Sequence, residues 1–223
     1  MTVLTRIRLD RASRDVMRAV SDPVELHRKV MAGFGQVRGA SAREALGVLW
    51  RYEFDSARRP ILTVQSNGEG DWASFKPWTE SIDSKDIDPM LAAIDQGQTL
   101  RFLLRANATR KINTKTGADE VRRNGQRVPL RSPEKAQEWL VRHGEAAGFG
   151  MVEGRGAPAV DIRSEAPSRG GRGGRAVTIE ATRFEGLLTV MDPARLANAV
   201  RTGVGPAKAF GCGLLSLAPG PPA

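Results

Sequence analysis

The chain has one cysteine, Cys212, two histidines, His27 and His143, one tyrosine, Tyr52, and only 5% aromatic residues among 223. A lone thiol excludes an internal disulfide. With two well-separated histidines it cannot supply the ligands of a structural zinc site either, so neither metal nor cofactor is expected. The shortage of aromatics argues against a protein that stacks single-stranded bases on aromatic-rich strands. No run of about 18 apolar residues occurs, and the opening "MTVLTRIRLDRASRD" lacks the apolar segment of a leader; the sequence reads as cytoplasmic and free of membrane contact.

Positive charge is in excess. Lys and Arg number 34 against 25 Asp and Glu, a net +9 at pH 7. Residues 1–98 carry 14 basic and 14 acidic side chains, so the whole excess lies in residues 99–223. A regional surplus of this kind points to an acidic partner, most often nucleic acid.

Patterning predicts two halves. "TVLTRIRL" (2–9) alternates like a strand, and "DPVELHRKVMAGFG" has the signature of a helix start, with Asp22 as N-cap, Pro23 at the first position and Glu25 three residues after the cap. "GVLWRYEF" (47–54) and "PILTVQS" (60–66) form a hairpin. The stretch from "DWASFKPW" through "IDPMLAAIDQG" is ambiguous between a short helix and an irregular strand. Strand, helix, strand, strand, helix, strand is the order of a ferredoxin-like βαββαβ unit. It starts again with "QTLRFLLRANA" (98–108), a helix over 132–150 capped by Ser132, strands in "APAVDIRSE" and 175–192, a helix at "DPARLANAV", and "LLSLA". The fold class is therefore α+β: two tandem ferredoxin-like (RRM-like) domains, 1–97 and 98–223. Two polar segments, 109–127 and 163–177, resist assignment; arginines on flexible Gly-rich spacing suit contact with a phosphate backbone.

The segment "GVGPAKAFGCGLLSLAP" (203–219) places Gly203, Gly205, Gly211 and Gly213 around Lys208. Such spacing lets backbone approach a ligand or a neighbouring surface closely. A dinucleotide fingerprint fails because Lys208 stands at the third glycine position and the loop follows a helix, and no Gly-Lys-Ser/Thr is present for a P-loop.

Together with "FEGLLTVMDPARLANAVRTG", "RFLLRANATRK" and "DPVELHR", this segment resembles the CasE family, the endoribonuclease of type I-E CRISPR systems. The resemblance spans nearly the whole chain. It implies tandem ferredoxin-like domains and a metal-independent enzyme that cuts CRISPR precursor RNA at the 3′ base of the repeat stem-loop. It further implies that the enzyme stays on the mature crRNA and joins other Cascade subunits. In this reading His27 is the general acid or base, and Arg28 stabilises the phosphate. The basic residues Arg101, Arg105, Arg110, Lys111, Arg122, Arg123 and Arg127 line one side of the stem. Arg169, Arg172 and Arg175 form a basic hairpin against it, and Lys208 contacts RNA from the glycine-rich loop.

The residues also allow plainer roles. His27 falls on an apolar helical arc with Leu26, Val30, Met31 and Phe34, where a histidine is often a core residue. His143 lies near a helix end, suited to capping or packing; Tyr52 alternates with Val48, Trp50 and Phe54 like a core residue. Family members often carry a tyrosine one turn before the histidine and a lysine shortly after it, where this chain has Val24 and Ala32. The alternative is therefore a repeat-hairpin-binding assembly module with weak or lost chemistry.

Overall fold

The computed structural model describes residues 1–35, 39, 41–112, 127–154, 157–171 and 176–221. The first sheet is built from β1 (Val3–Leu9), β2 (Leu49–Phe54), β3 (Pro60–Ser66) and β4 (Thr79–Asp86) in the order β2-β3-β1-β4, with antiparallel pairing throughout. Helices α1 (Arg14–Ser21), α2 (Pro23–Ala32) and the short α3 (Ala42–Ala45) connect β1 to β2. The helix α4 (Asp88–Ala92) follows β4.

The second sheet repeats the plan. Its members are β5 (Thr99–Ala106), β8 (Phe149–Met151), β11 (Val160–Ser164), β14 (Thr182–Val190) and β15 (Leu215–Pro219). The order is β11-β14-β5-β15, and β8 also pairs with β14, so β8 and β11 together occupy the place that β2 holds in the first sheet. Helices α5 (Pro133–Ala146) and α6 (Pro193–Thr202) supply the crossovers. Three two-stranded ribbons decorate it: β6 (Thr109–Lys111) with β7 (Arg127–Pro129), β9 (Glu153–Gly154) with β10 (Ala157–Pro158), and β12 (Ser168–Gly170) with β13 (Val177–Ile179). Both sheets thus have ferredoxin-like strand order, and the class is α+β.

Local sequence explains several elements. Asp22 caps α2 through Oδ1, which accepts from Val24 N at 2.9 Å and Glu25 N at 3.1 Å, while Pro23 fills a position whose N–H has no helical acceptor. Ser132 caps α5 and Asp192 caps α6 in the same manner. The second crossover of the first half shrinks to a 3-10 helix at Ala73–Trp78, because Pro77 inside it removes a donor and shortens the run. The ambiguous stretch after it resolves into that turn, the full-length edge strand β4, and α4. Helix α1, absent from the sequence reading, is short: Val16 and Ala19 are buried and Val20 packs partly against the first core, a stripe of only two turns. Of the two unassigned polar segments, 109–127 opens on β6 and closes on β7, while 163–177 starts in the last residues of β11, contains β12 and runs into β13.

Each half has its own apolar core. Ile7, Leu26, Val30, Trp50, Leu62 and Phe75 fill the first, and Leu104, Trp139, Leu140, Phe149 and Phe184 the second. Polar side chains tie the two halves together across the seam. Arg51, buried at 4% exposure, pairs with Glu53 at 3.0 Å and donates to Leu214 O at 3.2 Å and Ser216 Oγ at 3.0 Å. Gln65 Nε2 donates to Val200 O at 2.7 Å. Asp88 accepts from Thr2 N and Arg201 Nη2, both at 3.0 Å, and hydrogen bonds from Thr2 and Arg201 hold its carboxyl far below the usual carboxylate range.

Removing one member of a buried, hydrogen-bonded ion pair leaves the other stranded. Arg51→Ala is expected to cost about 3 kcal/mol of unfolding free energy, read as a lowered urea midpoint. An unchanged midpoint contradicts a structural role for the pair.

Candidate functional site at the seam of the two halves

Residues from both halves meet on α2. His27 projects from the middle of this helix and is half-buried. Phe210, from the 3-10 turn Lys208–Phe210 inside the glycine-rich segment, packs edge-on against its ring, with centroids 6.5 Å apart. Among the described residues the buried imidazole Nδ1 has no hydrogen-bond partner. Burial, and secondarily the positive charge of Arg43, lower the pKa of His27 from the ordinary 6.5, so the ring is neutral at neutral pH.

The glycines explain how the loop reaches α2. A Cβ on Gly203 would lie 2.8 Å from Leu49 Cδ2, one on Gly205 2.8 Å from Trp139 Cζ2, and one on Gly211 2.6 Å from Trp50 Cζ3. All three residues have φ between 75° and 79°, a region that penalises side chains. The segment is a strap drawn over a tryptophan from each half. Gly213, at φ 92°, would bring a Cβ to 3.1 Å from Lys208 Cγ, so the lysine stem lies across it.

Arg105 fixes the strap from behind. Its Nη1 donates to Gly211 O at 3.0 Å and Phe210 O at 3.3 Å, and its Nε pairs with Glu165 at 2.7 Å. The guanidinium expected on RNA is thus committed inside the protein. Arg28 is also engaged: it is exposed, and its Nε donates to Glu25 Oε2 at 3.1 Å on the flank of α2. Val24 is half-buried and Ala32 exposed on the same helix.

At the N-terminus of α2 the ribbon β12–β13 docks from the other half. Gly171 N donates to Asp22 Oδ2 at 3.3 Å, and a Cβ on Gly170 would collide with Asp22 Oδ1. Arg169 is exposed on this ribbon; Arg172 and Arg175 lie outside the described residues, as do Arg122 and Arg123.

The remaining basic residues divide between two surfaces. Arg110, Lys111 and Arg127 are exposed on the ribbon β6–β7. Arg110 borders a depression of about 390 Å³ with Lys135, Glu138, Trp139 and Arg142. Sequence reading missed Lys135 and Arg142, whose only signal is their position on the solvated face of α5. Arg101 sits apart, on the open face of the second sheet beside Leu103, Glu185 and Leu217. His143 is stacked on Trp139 with centroids 3.8 Å apart and donates from Nδ1 to Trp139 O at 2.8 Å, a packing arrangement. Tyr52 packs against the first core with its hydroxyl buried, and burial pushes its pKa up to about 12, which keeps the phenol protonated.

Arg43 is the other residue that sequence reading missed. It lies on α3 and donates from Nη1 to Val48 O at 2.9 Å. Its charge bears on both His27 and Lys208, residues far from it in sequence.

The architecture defines a class: tandem ferredoxin-like proteins with a single neutral imidazole where the halves meet and a basic second half. A family model described as CRISPR associated protein matches residues 3–219. The CRISPR-associated endoribonuclease Cse3 of Thermus thermophilus is 34% identical over 224 residues, covering 97% of this chain and 99% of that protein. A structure of Cse3 bound to 19 nt RNA matches with a TM-score of 0.82 at 33% identity, over 98% of this chain and 99% of that one. The Cascade subunit CasE of Escherichia coli is 37% identical over 127 residues, 55% of this chain and 59% of its own length. The chain belongs to this family of CRISPR-associated proteins, the CasE (Cse3) family of type I-E systems. Among the described residues no helix is long and apolar enough to cross a membrane.

Gly211→Ala forces a methyl into Trp50 at a left-handed φ and is expected to destabilise the protein by about 2 kcal/mol. Gly68→Ala, with nothing within 4 Å of its Cβ, serves as the control. Thermal unfolding followed by tryptophan fluorescence compares them; equal midpoints refute the strap.

Proposed function

We propose that this protein is a cytoplasmic, metal-independent endoribonuclease that cleaves CRISPR precursor RNA at the 3′ base of the repeat stem-loop. After cleavage it remains on the mature crRNA as a Cascade subunit. The observation that carries the proposal is His27: a neutral imidazole on α2, edge-packed by Phe210 of the second half, in a chain that aligns along its length with an endoribonuclease. The RNA-bound relative and the Cascade subunit among its relatives support the substrate class and the assembly. We further propose a functional division near residue 97, with the imidazole in the first part and the basic surface in the second.

The chemistry needs no group beyond the chain and the RNA. The ribose 2′-oxygen attacks the adjacent phosphorus, the P–O5′ bond breaks, and the products are a 2′,3′-cyclic phosphate and a 5′-hydroxyl. A base must take the 2′-OH proton and an acid must deliver one to the departing oxygen. A neutral His27 suits the first task, and the imidazolium it becomes can return that proton to the departing 5′-oxygen directly or through solvent. Val24 moves no proton, so alignment of the 2′-oxygen with the scissile bond carries a large share of the rate. Arg110, Lys111, Arg127 and Arg169 are exposed and available for phosphates of the stem. The competing reading, an assembly module without cleavage, draws on Val24 and Ala32.

Single-turnover cleavage of the cognate repeat hairpin in EDTA tests the proposal. The parent cuts; His27→Ala lowers the rate about 10²–10⁴-fold while hairpin binding survives, and a 2′-deoxy sugar at the scissile nucleotide abolishes cutting. A parent that binds but never cuts establishes the assembly module instead.

The pH profile gives a separate check. Because burial and Arg43 lower the pKa of His27, kcat/KM rises with pH through a midpoint below 6.5 as the ring loses its proton. A rising limb centred above 6.5 contradicts the assignment.

A further inference from the structure

Three basic side chains reach the seam from three different elements. His27 comes from α2, Arg43 from α3 and Lys208 from the strap. The strap turn packs against both α2 and β2, bringing Phe210 to the imidazole and Gly211 to Trp50. Arg43 is anchored next to the same strand through Val48 O, at 2.9 Å. Among the described residues neither Arg43 nor Lys208 makes an ion pair.

Arg43 of α3 bears on both the imidazole and Lys208, and Glu44 of the same helix bears on Lys208. On the other elements packed here, α2 itself carries Glu25, Arg28 and Lys29, α1 carries Arg14, Asp15 and Arg18, and the ribbon β12–β13 carries Arg169. Glu44 favours the charged lysine, but burial and Arg43 outweigh it and lower the Lys208 pKa. Like charges held close while half-buried repel one another, and an anion between them removes that penalty.

Two further features are unexplained by folding alone. His27 Nδ1 is buried with no hydrogen-bond partner among the described residues. Ala207, immediately before the lysine, has φ 62° and ψ 30°, a left-handed conformation unfavourable for a residue with a side chain. It turns the chain so that Lys208–Phe210 faces α2 rather than continuing outward.

We infer that Arg43 and Lys208, with His27 between α2 and the strap, form a phosphate-binding site that takes the RNA phosphodiester undergoing cleavage. The identity of that phosphate rests on the endoribonuclease reading; the anion site itself does not. Arg28, paired with Glu25, is not part of it. Two cations placed ahead of the reaction offset the negative charge that develops on the phosphorane oxygens, and they do so without reorganisation.

The test uses the full chain and inorganic phosphate as the probe. In the parent, phosphate shifts the His27 ring proton resonances saturably and leaves those of His143, which is stacked on Trp139, in place. Arg43→Gln and Lys208→Met each weaken the phosphate response about tenfold or more, and Arg43→Lys retains it. In single-turnover cleavage the same two variants lose about 10²-fold in rate with hairpin affinity within threefold of the parent. If phosphate leaves His27 unmoved in the parent, or moves it equally in folded Arg43→Gln and Lys208→Met, the site does not exist. If phosphate binds as expected but the repeat RNA is never cut, the anion site stands and the endoribonuclease reading fails.

Discussion

The contact between the strap and the two tryptophans governs the rest of this structure. Gly205 lies on Trp139 in the second core and Gly211 on Trp50 in the first, so a single short segment bridges both halves. Everything placed at the seam depends on that close approach. Phe210 meets His27 because Gly211 follows it, Lys208 extends over Gly213, and Arg105 holds the intervening carbonyls. Backbone packed this tightly on aromatic rings excludes side chains at the glycine positions, which is a steric requirement rather than a preference for flexibility.

The seam has a division of labour between charge and packing. Buried guanidiniums that find carbonyls and carboxylates, such as Arg51 and Arg105, serve cohesion between elements distant in sequence. Among the described residues, Arg43 and Lys208 at the seam and Arg110 and Lys111 on their ribbon form no ion pair. The distinction matters for a protein with a large basic surplus, because arginine count alone does not measure affinity for a polyanion.

Much of the fold was legible in the sequence for local reasons. Asp22-Pro23 and Asp192-Pro193 announce helix starts through capping chemistry that depends on adjacent residues, and β2 and β3 alternate around a short polar turn. What was not legible is non-local. Strand β4, "TESIDSKD", is a largely exposed edge strand with no apolar alternation, and only its pairing with the distant β1 makes it a strand. The commitment of Arg105 to the strap, like the proximity of Arg43 to His27, arises only when segments far apart in the chain are folded together. His27 itself was conspicuous as one of two histidines, yet its apolar helical arc described a core residue equally well. Both descriptions hold in part: the ring is half-buried and edge-packed, and among the described residues one of its nitrogens has no partner.

The placement of His27 and the strap on opposite halves has a consequence for the birth of the protein. During synthesis the first half emerges and can begin to fold before the second is complete. At that stage Trp50 lacks its Gly211 cover and His27 lacks Phe210. The strap lies far downstream, after α6, and arrives only once the second sheet has most of its strands. The contact between His27 and Phe210 therefore forms last in the life of the nascent chain, after most of the basic residues of the second half have already been made.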